Sequence, residues 1–434
     1  MQENNSILNQ EAHRYIPGGA HTYSRGDDQF PENAPKVLHR GSGAYVWDVD
    51  NRRFLDYGMA LRSITIGYDY DRVSEAAIQE IRKGNNLTRA TETEVLAAKE
   101  FCETIPGCDM VKFAKNGSNA VSAAVKLARA YTGKNYILRC GQHPFFSFDD
   151  WFIGDTEVSR GVPESSRNFT LRFNFNDISS VKAAFAQYGN QIACVILEPA
   201  TSVEPMQGFL SELIAVAHQN KSLVILDEMI TGFRWSLKGA SDYYGVMPDL
   251  KTFGKGMANG FSVAAVAGRR DIMEIGGIHH DQERVFLVST THGAEMCGLG
   301  AFRETLRVYK ELDVTSHLWN QGERLKRGLN GVARDLGISE QFSVEGPACS
   351  PAYLVKDADG AVSMSLRTLF MQEMVKNGVL MPWIALSLSH GEEEIDMTIA
   401  AAEKSLRVVK NALESGTDQF LIGKAVKPVF RKYN

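Results

Sequence analysis

Between Met110 and Asp227, short apolar runs alternate with stretches of helical period, and this alternation limits the possible folds more than any other feature of the chain. Residues 110–114, 136–140, 193–197 and 223–226 read as buried strands. Residues 92–103 and 119–130 have helical spacing, the second with Val121, Val125 and Ala128 on one face. Strand, helix, strand in repetition calls for a largely parallel sheet with right-handed crossovers. Residues 263–268 and 285–288 are predicted as further strands. Beyond about Gly300 helical patterns dominate, with strands predicted at 346–354 and 379–388. A chain of 434 residues exceeds one ordinary core. The expected architecture is therefore α/β: an N-terminal segment 1–54 serving the small domain and the site, a large domain 55–312 with a mainly parallel sheet, and a smaller α+β domain 313–434.

Composition excludes several classes of function. With 44% apolar and 23% charged residues and a net charge of -5, the chain has no basic footprint for nucleic acid. The six cysteines form no Cys-x-x-Cys pair, so neither a metal site nor a disulfide framework is expected. No apolar run approaches the ~20 residues that span a bilayer, and the first ten residues are polar. A cytoplasmic enzyme without a membrane partner is expected.

The chemistry concentrates where one strand ends. Ser222-Leu-Val-Ile-Leu-Asp-Glu is an apolar run closing on two acids, and Lys255 stands 28 positions beyond Asp227 between glycines. Ligands of open α/β sheets bind beyond the carboxyl ends of the strands. An acid there can keep a pyridine nitrogen protonated and a neighbouring neutral lysine can form a Schiff base, which is the chemistry of pyridoxal phosphate (PLP). The simpler reading is that Asp-Glu caps a helix or orders a loop.

Four other segments admit two readings each. Lys115-Asn-Gly-Ser-Asn-Ala follows a strand and opens a helix, so Gly117 and Ser118 offer a phosphate seat, or Ser118 or Asn119 merely caps the helix. His143 in Gly141-Gln-His-Pro-Phe-Phe-Ser can stack on a planar ring or stand by in a loop. Ser289-Thr-Thr-His-Gly offers hydroxyls to a phosphate or forms a turn. Arg25 lies in a segment of little regular character, where most arginines are surface residues.

Taken together and in this order, the segments resemble class III (ω-type) PLP aminotransferases of fold type I, closest to the glutamate-1-semialdehyde 2,1-aminomutase branch. The resemblance runs from Pro17-Gly-Gly-Ala through Leu226-Asp-Glu-Met-Ile-Thr-Gly-Phe-Arg to His390-Gly-Glu-Glu-Glu-Ile-Asp. It implies that Lys255 is the Schiff-base lysine and Asp227 the partner of the pyridinium. It also implies that Gly117 and Ser118 hold the phosphate and that Glu198 lies near the cofactor. Thr290 would reach the phosphate of a neighbouring subunit, making the protein a homodimer with shared sites.

Departures from the family pattern fall at the substrate end. The usual Gly-x-Tyr-His-Gly reads Gly141-Gln-His-Pro-Phe, so His143 or Phe145 would stack on the cofactor. Asn119 replaces the usual glutamate of the phosphate turn. The branch's Ser-Trp-Gly-Pro reads Ala60-Leu-Arg-Ser, which introduces Arg62. Arg25 matches the branch's carboxylate-binding arginine, so one or both arginines are expected to hold a substrate carboxylate. The basic C-terminal tail from Gly423 resembles those of aminomutase-like enzymes of cell-surface sugar synthesis. The resemblance therefore implies transamination from a donor such as glutamate to an aldehyde or ketone. An oxidised acidic sugar of lipopolysaccharide synthesis is the favoured acceptor, and glutamate-1-semialdehyde aminomutation is the alternative.

Overall fold

The computed structural model describes residues 3–433. The chain divides into two compact units, Met1–Tyr70 with Ser316–Arg431, and Asp71–Thr315 with Lys432–Asn434. The first unit contributes β1 (Leu38–Ser42), β2 (Tyr45–Asp48) and β3 (Arg53–Asp56); the second contributes β4 (Met110–Ala114), β5 (Tyr136–Cys140), β6 (Thr170–Phe173), β7 (Ile192–Leu197), β8 (Leu223–Asp227), β9 (Leu250–Phe253) and β10 (Ala264–Gly268). Later in the chain, β11 (Phe342–Glu345), β12 (Ala352–Val355) and β13 (Val379–Leu380) return to the first unit.

In the second unit the sheet order is β4-β10-β9-β8-β7-β5-β6. Strands β9, β8, β7, β5 and β6 pair in parallel, and β10 runs antiparallel to both β4 and β9. Six of the seven strands therefore point the same way and end at one edge. Every residue of β7 and β8 is buried, which explains why these strands read as unbroken apolar runs rather than alternating ones. Helix Gly117–Thr132 buries Val121, Val125, Leu127 and Ala128. Glycine at 133, with φ of 67°, ends that helix in the left-handed conformation.

In the first unit β1, β2 and β3 form an antiparallel meander, and β13 adds to β3 in parallel through Val379–Leu55 and Leu380–Asp56. An interior boundary at residue 54 would cut β3, whose pairing carries residues 55 and 56 into this sheet. Strands β11 and β12 make a separate antiparallel pair. Among the described residues no helix is long and apolar enough to cross a membrane.

Several expectations change. Residues 285–288 are irregular, although Val285 and Leu287 are buried and Phe286 is exposed, because the segment bonds locally, Val285 N–H to the Ile275 carbonyl, instead of joining a sheet. The strand expected at 346–354 is the second half of the β11–β12 pair, and that at 379–388 shrinks to two residues.

Candidate active site

Because β4, β5, β7, β8 and β9 are mutually parallel, the residues that follow them collect at one edge of the sheet: Gly117 and Ser118 after β4, His143 after β5, Glu198 after β7, Asp227 ending β8 and Lys255 after β9. Met229 measures how closely three of these segments converge. A Cβ placed on Gly117 would stand 3.0 Å from the Met229 sulfur, and one placed on Gly254, next to Lys255, would stand 2.6 Å from it. Neither position admits a larger residue without moving Met229. Nothing in the sequence marked Met229, since a methionine two residues after a strand reads as core filler.

Asp227 is 3% exposed. Its Oδ1 accepts from the Met229 N–H at 3.1 Å and the Thr252 hydroxyl at 3.0 Å. Burial pushes its carboxyl up to about 6, although the nearby Lys255 charge and these two donors pull the other way. The result is a buried acid whose ionised form needs a cation. Glu228, its equally buried neighbour, accepts from the Thr231 hydroxyl at 2.6 Å and from the N–H groups of Ala240 at 2.8 Å and Ser241 at 2.7 Å. The ordering of the chain, the simpler reading of Asp-Glu, thus falls to Glu228. Lys255 is half-buried and opens a short helical turn with φ of 38°, an uncommon conformation for a lysine.

At the phosphate seat the helix cap is Asn116, whose side chain accepts from Asn119 N–H at 2.9 Å. Ser118 is therefore released from capping. Its hydroxyl accepts from Phe148 N–H at 3.1 Å and keeps its own proton to give to an anion at the helix N-terminus.

His143 is 2% exposed, lies against Phe146 and Phe175, and accepts from Glu198 N–H through Nδ1 at 2.9 Å. Burial, with the Arg139 charge adding to it, lowers its pKa to about 4, so the ring is neutral and its proton sits on Nε2. That nitrogen is buried without a partner among the described residues. Phe145, the other ring offered by the sequence, is 46% exposed and meets Phe152 edge-on.

Three further sequence candidates stand on other segments. Thr290 is exposed in the loop beside β4, at a cavity of about 170 Å³ that it shares with Lys112, Phe113 and Glu94. Arg25 and Arg62 belong to the first unit. Arg25 is exposed and ends a short turn, Tyr23–Arg25. The segment after it is tied to the C-terminal tail: Arg431 pairs with Asp28 at 2.5 Å, and Lys427 N–H donates to the Asp28 carbonyl at 2.9 Å. Up to Arg431 the tail is part of the fold. Arg62 is half-buried, its guanidinium 5.5 Å from the centroid of the Trp383 ring.

The residues at the sheet edge fit PLP. A glycine at a helix N-terminus with a buried serine hydroxyl beside it, a buried acid, and a lysine whose charge acts on that acid suit a phosphate, a pyridine nitrogen and an aldehyde in turn.

Comparison with known proteins agrees. The Aminotransferase class-III family profile matches residues 28–381. The chain is 31% identical over 425 residues to glutamate-1-semialdehyde 2,1-aminomutase 1 of Lachnoclostridium phytofermentans, covering 93% of this chain and 99% of that protein. It is 31% identical over 416 residues to 3-aminobutyryl-CoA aminotransferase of Cloacimonas acidaminovorans, covering 94% and 97%. Among solved structures it is similar to the PLP internal aldimine form of the FumI protein of Sphingopyxis sp. MTA144, with 26% identity, a TM-score of 0.87, and coverage of 95% and 98%. With a match over most of its length, the chain belongs to the class III aminotransferase family and is a PLP-dependent aminotransferase or aminomutase of fold type I.

Proposed function

We propose that this enzyme moves an amino group from an amino-acid donor, glutamate, to a separate aldehyde or ketone that carries a carboxylate. The favoured acceptor is an oxidised acidic sugar such as 8-oxo-3-deoxy-octulosonate. The observation that carries the chemistry is Asp227, a buried carboxyl pushed up to about 6, with the Lys255 charge acting on it at the common edge of the strands. PLP, when bound, supplies the electron sink. Asp227 holds the pyridine nitrogen protonated, since a buried carboxylate gains most from a cation against it. Lys255 Nζ would act as general base, taking the proton from the donor's amino-bearing carbon and passing it to the carbon of the cofactor's aldehyde, and running the transfer in reverse for the acceptor. Gly117 N–H, the Ser118 hydroxyl and the helix dipole hold the phosphate. His143, whose ring is fixed by Glu198 N–H, or the more exposed Phe145 would stack on the cofactor. Thr290 serves the phosphate in a second copy of the chain, so the working form is a homodimer.

Arg25 and Arg62 hold the acceptor's carboxylate, where a guanidinium can donate two parallel hydrogen bonds. A second reading, aminomutation of glutamate-1-semialdehyde, is favoured by the 31% identical relative of that name. Glutamate-dependent amination of the oxidised sugar by the PLP-loaded enzyme, with conversion of glutamate-1-semialdehyde in the absence of any donor run beside it, separates the two. Amination of the sugar alone supports the proposal, and donor-free conversion with an inert sugar replaces it with aminomutation. For the proposed acceptor, Arg25→Ala or Arg62→Ala should lower kcat/KM roughly 10- to 150-fold, from about 1.5–3 kcal/mol for a charge-assisted pair.

A further inference from the structure

Met59, Ala60, Leu61 and Arg62 follow one another with φ of 40°, 47°, 63° and 68°. Four consecutive residues, none a glycine, thus sit in the left-handed region, where an L-residue brings its Cβ against the next carbonyl. Left alone, such a segment would relax to the right-handed form. Asp56, 3% exposed, holds its entry: Oδ1 accepts from Gly58 N–H at 2.8 Å and Oδ2 from Met59 N–H at 2.9 Å. Tyr68 bolts the acid to the turn, its hydroxyl donating to Asp56 Oδ2 at 2.7 Å and accepting from Ala60 N–H at 2.8 Å. Room for the Tyr68 ring comes from Gly41, where a Cβ would stand 2.7 Å from the Tyr68 Cγ.

The far side of the turn is held by Trp383. Its indole N–H donates to the Gly58 carbonyl at 3.1 Å, and its ring is the one over which the Arg62 guanidinium lies. Met59 and Ile64 are anchored in a small buried cluster with Ala385. Burial holds the Tyr68 phenol far above its ordinary range, with Asp56 adding to the effect, so it stays a donor; the Arg25 charge is close enough to act on it in the other direction. Arg25 and the Arg62 turn therefore share one local electrostatic field. Strained backbone held by so many bonds is characteristic of sites where one side chain has to be aimed.

We propose that this left-handed turn sets acceptor specificity: Asp56 and Tyr68 are positioning residues that act through Arg62, and Trp383 is the plate on which its guanidinium is aimed at a carboxylate-bearing acceptor. This rests on the reading above that Arg62 holds the acceptor's carboxylate. Relaxation of the turn would turn the Arg62 side chain away from the acceptor's carboxylate.

The test uses the PLP-loaded enzyme with glutamate as donor and two acceptors of equal length, succinic semialdehyde and butanal. Tyr68→Phe removes the hydroxyl that joins Asp56 to Ala60. It should raise KM for succinic semialdehyde roughly tenfold, the loss expected of a misaligned charge-assisted contact, with kcat and the kinetics of butanal within about twofold of the parent. In an Arg62→Ala background the same change should raise KM no further. Equal losses for both acceptors, or the same rise in KM without Arg62, would overturn the assignment. If Arg62→Ala itself leaves succinic semialdehyde unaffected, it is the carboxylate reading that fails. Thermal melting supplies a readout independent of turnover and of the Tyr68 variant's folding. Glycine adopts positive φ without strain, so Arg62→Gly should melt several degrees above Arg62→Ala; equal melting temperatures would show that the turn is not held against strain.

Discussion

Replacing Asp227 with asparagine should stabilise the cofactor-free protein and cripple the loaded enzyme, two opposite effects with one cause. Burial raises the Asp227 carboxyl from 3.8 to about 6 even with Lys255, Met229 and Thr252 acting against the rise. A displacement of roughly two pH units, at ~1.4 kcal/mol for each, makes the ionised carboxyl cost about 3 kcal/mol of folding stability. Since the folded value lies above the unfolded one, the penalty is absent below about pH 4 and complete once the pH has risen through about 6. Asparagine is neutral throughout and keeps an oxygen for the Met229 and Thr252 donors. Urea unfolding of protein stripped of PLP should therefore find the two proteins alike near pH 4 and the variant more stable at pH 8, by up to about 3 kcal/mol. Loading with PLP should favour the parent, because a protonated ring nitrogen compensates its carboxylate, and turnover of the variant should fall by at least about tenfold. A variant no more stable than the parent at pH 8 would show that Asp227 carries no burial penalty, and near-normal turnover would remove it from the mechanism.

Lys255→Ala should keep the fold, by circular dichroism, and lose the borohydride-reducible link to PLP; retention of that link at another lysine sinks the assignment. Gly254→Ala places a Cβ 2.6 Å from the Met229 sulfur, so it should lower bound PLP, measured by absorbance, and a second change, Met229→Ala, should restore it; no restoration would mean that Met229 does not set the spacing. Thr290→Ala chains mixed with Lys255→Ala chains under subunit exchange should show activity that neither parent has, if each site borrows Thr290 from a second copy; an active monomer contradicts this.

The sequence disclosed the parts of the fold that rest on apolar burial. Leu223 to Asp227 is buried throughout and was plain as an apolar run. Strand β9 has no apolar run to mark it, because its centre is Lys251-Thr252, 1% and 0% exposed; the lysine is tolerated there because its Nζ reaches the Pro106 carbonyl at 2.8 Å, a partner 145 positions away that no local pattern reveals. Strand β6, at the sheet edge, carries an exposed Arg172 that breaks its apolar reading. At the site, residue types were legible and their arrangement was not. Nothing in Gly-Gln-His-Pro-Phe says that the histidine turns inward to the Glu198 amide while Phe145 turns out, since that choice depends on the end of β7, a segment distant in sequence. The left-handed turn at Met59 was equally hidden, because Met-Ala-Leu-Arg has high helix propensity and only Asp56, Tyr68 and Trp383 override it.

Where the chain breaks local rules, the breaks have a common sense. The turn at Met59–Arg62 costs about 4–8 kcal/mol, at ~1–2 kcal/mol for each left-handed residue, and ionised Asp227 costs about 3 kcal/mol more by the reasoning above. Together these amount to a large share of the 5–15 kcal/mol by which proteins are typically stable. Burial alone does not explain such costs, as Glu228 demonstrates: it is as deeply enclosed as Asp227, but three donors from the chain meet its carboxylate, and in return it orders the segment from Thr231 to Ser241. Asp227 is met by two, both at Oδ1. Of two adjacent buried acids, one is satisfied by hydrogen bonds from the chain and the other is met by fewer donors and by the Lys255 charge, and it is the second that stands among Gly117, Ser118 and Lys255. The same contrast separates Arg62 from an ordinary surface arginine: the fold spends hydrogen bonds to hold its backbone where an arginine would not go unaided, and such an arrangement makes sense for a side chain that has to meet a ligand.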